Sequence, residues 1–84
     1  MTNKEIIKKQ IIFRSTHRGT KEMDLLLGSF VKKYINELND EELKYLEDLL
    51  FTEDEVIYKW YFEKNSENLI PKNKISLMLK NFKL

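Results

Sequence analysis

The densest concentration of chemically able side chains in this 84-residue chain is Arg14-Ser-Thr-His-Arg-Gly-Thr-Lys-Glu-Met-Asp24, where cations, a glycine and two carboxylates adjoin one another. Arg18 carries a planar fork suited to a carboxylate or phosphate on a partner, and Gly19 permits close backbone approach. Glu22 falls in the first turn of a following helix, where negative charge is favourable. A plainer arrangement uses the same residues: Arg18 pairs with Glu22 across the turn, Gly19 stops the preceding helix, and Glu22 serves as a cap. Hydrolysis finds no support, because Ser15 lies too close in sequence to His17 and lacks an orienting carboxylate. His17 is the only histidine and there is no cysteine, which excludes a histidine-rich or thiolate metal site and any disulfide. Trp60, Tyr58, Tyr61 and Phe62 read as core and edge aromatics, with Trp60 inside, and Glu53, Asp54 and Glu55 as charges favouring a helix N-terminus.

Helices must position these groups. Apolar residues recur every three to four positions, with only two glycines and one proline to interrupt them. Met23, Leu26, Leu27, Phe30, Val31, Tyr34, Ile35 and Leu38 form one stripe and predict a long central helix over 20–38. Gly28 inside it costs about 0.5–1 kcal/mol relative to alanine and predicts a close helix contact or a slight bend. Ile6, Ile7, Gln10, Ile11 and Phe13 or Arg14 predict a first helix over 4–17, with Gly19 taking the left-handed conformation beyond its end. Asn39 with Glu42 has capping-box spacing and opens a third helix over 40–51; Thr52 with Glu55 repeats that signal for a fourth over 53–64. Asn65 to Asn68 is a loop, and Pro71 suits the first turn of a last helix over 71–82. The chain reads as one all-α domain, residues 1–84, folded as a small five-helix bundle. Met23, Leu27, Phe30, Val31, Tyr34, Leu46, Leu50, Ile57, Trp60, Ile75 and Met78 are the expected core.

Fifteen basic and fourteen acidic side chains leave a net charge of +1, so no strong field draws the chain to nucleic acid. The cations available for such binding, Lys4, Lys8, Lys9, Arg14, Arg18 and Lys21, are offset by the acidic third and fourth helices. No apolar run is long enough to cross a bilayer, and Met1 to Lys9 interleaves Lys and Glu with Ile where a signal peptide would be apolar. A soluble, cytoplasmic protein is expected.

Arg18-Gly19-x-x-Glu22, extended by Asp24 and flanked by Phe13-Arg14-Ser15 and Leu25-Leu26-Leu27-Gly28-x-Phe30, resembles the RGxxE motif of the succinate dehydrogenase assembly factor family, also called flavinators or FAD assembly factors. Glu53-Asp54, Tyr58 and Trp60 resemble that family's fourth helix, and Lys80-Asn-Phe82 its last. Thr16 and His17 depart from it, standing where relatives often carry further basic residues. The resemblance implies a non-enzymatic, five-helix protein, monomeric when free. It would bind the flavoprotein subunit of succinate dehydrogenase, sometimes of fumarate reductase, and promote covalent attachment of FAD to a histidine of that subunit. FAD then belongs to the partner, no cofactor is stably held, and His17 is not an attachment site. The implied partner-binding residues are Arg14, His17, Arg18, Gly19, Glu22 and Asp24. Replacing Arg18, Gly19 or Glu22 is expected to impair flavinylation while leaving the helical fold largely intact. An antitoxin-like protein-binding role and a helical nucleic-acid binder are the rival readings.

Overall fold

The computed structural model describes residues 2–83, within which the chain forms five α-helices, one short 3₁₀ turn and no strand. They are α1 (Asn3–Thr16), α2 (Lys21–Tyr34), α3 (Asp40–Leu50), α4 (Asp54–Phe62) and α5 (Lys74–Asn81), with the 3₁₀ turn at Glu67–Leu69 between the last two. α1 packs on α2 and α3, α3 packs on α5, and α4 packs on the 3₁₀ turn. Met23, Leu26, Leu27, Phe30 and Val31 of α2 meet Ile11 of α1, Leu43, Leu46 and Leu50 of α3, Ile57 of α4, and Ile75 and Leu79 of α5 in one core. Removing such a side chain from a filled interior typically costs about 2–5 kcal/mol, so this cluster dominates the stability of so short a chain.

Side-chain caps set most of the boundaries. Thr2 and Thr20 accept hydrogen bonds from Glu5 N–H and Met23 N–H at the starts of α1 and α2. Asn39 and Glu42 form the expected capping box at α3, each 2.8 Å from the other's backbone N–H. A second box closes around Asn73 and Ser76 and starts α5 after Pro71, not with Pro71 in its first turn. The Thr52–Glu55 box does not form: Glu53 occupies the cap position of α4 without a side-chain cap bond.

Two further expectations need correction. α2 ends at Tyr34, because the Glu37 N–H donates to the Tyr34 carbonyl and turns the chain toward α3. Ile35 and Leu38 stay buried within that turn, so the apolar rhythm continues where the helix does not. Tyr34 and Met78 are only half-buried, packed against the core edge, whereas the other nine predicted core residues are buried. Trp60 lies inside as expected, while Tyr58 and Phe62 are exposed.

Candidate functional site

The loop from α1 to α2 lies beside the loop from α3 to α4, and Arg18 joins them. Its Nε donates to Asp54 Oδ1 at 2.6 Å, its Nη2 to the Thr52 carbonyl at 2.8 Å, and its Nη1 to the carbonyls of Leu50 at 2.7 Å and Arg14 at 3.4 Å. Leu50 and Arg14 belong to the last turns of α3 and α1, whose carbonyls lack helical partners and form the negative ends of helix dipoles. One cation therefore satisfies two helix ends and an acid on the first turn of α4. With its side chain only 9% exposed, Arg18 has spent its fork inside the chain. No Arg18–Glu22 pair forms; the carboxylate that Arg18 meets is 36 residues away in sequence.

Gly19 continues the same network, donating its N–H to Asp54 Oδ2 at 2.5 Å. Its φ is not positive, so the left-handed expectation is wrong. The requirement is room, since a Cβ built at this position would lie 3.1 Å from that oxygen. Asp24 adds a third tie, accepting the Arg18 N–H at 2.6 Å. The two carboxylates thus fix the backbone at Arg18 and Gly19 from both sides.

Of the remaining motif residues, Glu22 and His17 face outward, while Arg14 is half-buried with its Nη1 inside. Glu22 is exposed in the first turn of α2 and has no hydrogen bond or ion pair among the described residues. His17 is exposed, stacked on Phe13 with ring centroids 3.9 Å apart, with Nδ1 2.8 Å from the Phe13 carbonyl. Arg14 lays its guanidinium 4.3 Å from the centre of the exposed Phe51 ring and sits 3.8 Å from Glu47 Oε2. Phe13 and Phe51 are 60% and 63% exposed, so a cationic and aromatic fringe borders the loop. Such a surface is equipped to bind protein, offering carboxylate, imidazole and guanidinium groups on a frame that does not need ordering first. Among the described residues no group of three or more His, Asp or Glu side chains is arranged to hold a metal ion.

The family model for the flavinator of succinate dehydrogenase matches residues 9–83. The chain belongs to this family. Individual flavinator relatives agree. It is 45% identical over 56 residues to the mitochondrial succinate dehydrogenase assembly factor 2 of Scheffersomyces stipitis, covering 67% of this chain and 38% of that protein. To the protein of the same name from Saccharomyces cerevisiae, strain S288c, it is 43% identical over 61 residues, covering 70% and 38%. To the FAD assembly factor SdhE of Acetobacter pasteurianus it is 33% identical over 73 residues, covering 87% and 64%. The chain thus spans well under half the length of the yeast flavinators and just under two thirds of the bacterial one. No solved structure is significantly similar to it.

All six candidate residues lie inside the span matched by the flavinator model, at the end of α1, in the α1–α2 loop and in the first turn of α2. Sequence spacing missed the role of Asp54, which reads from its neighbours as an ordinary first-turn acid. Nothing local distinguishes it from Glu53 or Glu55; its partner is supplied only by the packing of α4 against the α1–α2 loop.

Proposed function

We propose that this protein is an assembly factor that binds the flavoprotein subunit of succinate dehydrogenase, or of fumarate reductase, and promotes covalent attachment of FAD to it. The observation that carries this reading is the flavinator match over residues 9–83, which contains the whole ordered loop. In this reading Arg18, Gly19 and Asp24 act by holding the loop rigid, and Glu22, His17 and Arg14 act by contact. The flavin and the histidine that receives it both belong to the partner, and this chain supplies neither acid, base nor nucleophile. By binding one conformation of the flavoprotein better than others, it raises the population in which the two can react.

We also place the protein in the cytoplasm as a monomer when free, without nucleic acid or membrane insertion. The described helices include none long and apolar enough to cross a membrane. The cations that would serve nucleic acid are largely engaged: Lys4 pairs with Asp40, Arg14 with Glu47, and Arg18 is inside. Apo-flavoprotein incubated with FAD, with and without this protein, tests the proposal through in-gel flavin fluorescence after denaturation, which registers only covalently held cofactor. The expected result is a clear rise above flavoprotein alone; no rise with either enzyme's subunit sinks it.

A further inference from the structure

Between α1 and α2, floored in part by the core residues Val31 and Ile35, runs an open groove of about 790 Å³. Ile12 forms one wall and Leu25 the other, 45% and 59% exposed, and Gly28, Val31 and Ile35 line the groove between them. Lys21 and Lys32 stand along α2 eleven residues apart, roughly 16 Å along the axis, and neither has an ion-pair partner among the described residues. The groove begins at the motif, because Thr16, Lys21 and Asp24 line it too.

Gly28 is the informative residue. A glycine inside a helix costs stability relative to alanine. Its φ is not positive, and a Cβ there would lie 3.5 Å from Thr16 Cγ2 and 3.8 Å from the Ser15 carbonyl, ordinary contact distances. Neither backbone nor internal packing demands a bare position, and the missing side chain leaves the groove shallow-walled beside α1.

We infer that this groove receives a helical segment of the flavoprotein, one with an apolar ridge to lie between Ile12 and Leu25 and carboxylates about three turns apart to meet Lys21 and Lys32. A third helix laid on a helix pair is a recurrent mode of recognition, and the bare Gly28 lets its backbone come close. The inference rests on the flavoprotein reading above and extends the contact surface from the loop along α2 as far as Asn36.

The test is titration of labelled protein with the purified flavoprotein subunit, comparing Leu25→Glu, Lys32→Glu and Gly28→Leu with the parent and with Leu77→Glu, an exposed control on α5. Each groove variant should weaken binding about tenfold or more, as loss of an interface anchor does, while Leu77→Glu matches the parent. Melting curves accompany each titration; Leu25 and Lys32 are exposed, so those two variants keep their fold even if Gly28→Leu does not. Parent-like affinity in both overturns the groove while leaving the assembly-factor reading in place. A parent that binds no flavoprotein overturns both. A parent that sediments as a dimer, split by Leu25→Glu, assigns the groove to a second copy and overturns the inference as well.

Discussion

The motif end and the start of α3 solve one problem at different range. At α3, Asn39 and Glu42 satisfy each other's backbone across three residues, and Lys74 from the start of α5 reaches over to Glu42. At the motif, Arg18 and Asp54 satisfy two helix ends and a loop across 36 residues. The box of the first network is itself local, and the Lys74 side chain that reaches it from α5 is 68% exposed, although the Glu42 side chain is only 8% exposed. The second has its cation almost sealed from water. Polar groups therefore cap one helix and tie it to a second in one place, and form a joint between four chain segments in the other.

Asp54→Ala should give the largest effect that separates the two. It leaves a buried guanidinium with carbonyl partners but no counter-ion, a change that costs about 3 kcal/mol, the lower end of the usual range, because those carbonyls remain and Asp54 is itself partly exposed. Urea unfolding followed by circular dichroism measures it, and a double-mutant cycle with Arg18→Ala should show strong coupling. Arg18→Ala should thus weaken the fold as well as flavinylation, contrary to what the motif alone implies. A loss below about 1 kcal/mol for Asp54→Ala would make the two networks equivalent.

Asn39→Ala should cost less, about 1 kcal/mol, the usual value of an N-cap, read in the same unfolding experiment. The Glu42 carboxyl supplies a third comparison. The hydrogen bond from Lys74, then that from the Asn39 N–H, holds it below its ordinary value of 4.5. A carboxyl so depressed stabilises the native state above pH 4.5, and this contribution fades as the pH falls through its lower folded value. Lys74→Met should therefore flatten the decline of Tm below pH 4.5 and leave Tm at higher pH less favourable; an unchanged acid limb would discount the pair. The smallest stability effect belongs to Glu22→Ala, about 0.3–1 kcal/mol from lost interaction with the α2 dipole. Its flavinylation defect should nevertheless match that of Arg18→Ala, since Glu22 stands free for contact.

This contrast also explains what was legible beforehand. The order of five helices follows from apolar spacing, and the Asn39–Glu42 box follows from residue types three apart. The Asn73–Ser76 box escaped because Pro71 offers a stronger-looking start two residues earlier. Ile35 and Leu38 misled because burial in a turn has the same rhythm as burial on a helix. Which of the six motif residues turn inward was not readable, because that depends on where α4 delivers Asp54.

The bond from Asp54 to Arg18 and Gly19 has a consequence for biosynthesis. Synthesis runs from the N-terminus, so the motif leaves the ribosome well before the carboxylate that completes it, and until α4 has emerged and docked, Arg18 lacks its counter-ion. A nascent chain can form α1 and α2 early, because their contacts are near in sequence, yet its motif loop stays unfinished. In the assembly-factor reading, engagement of the flavoprotein is in this way made to wait on translation of the greater part of the chain.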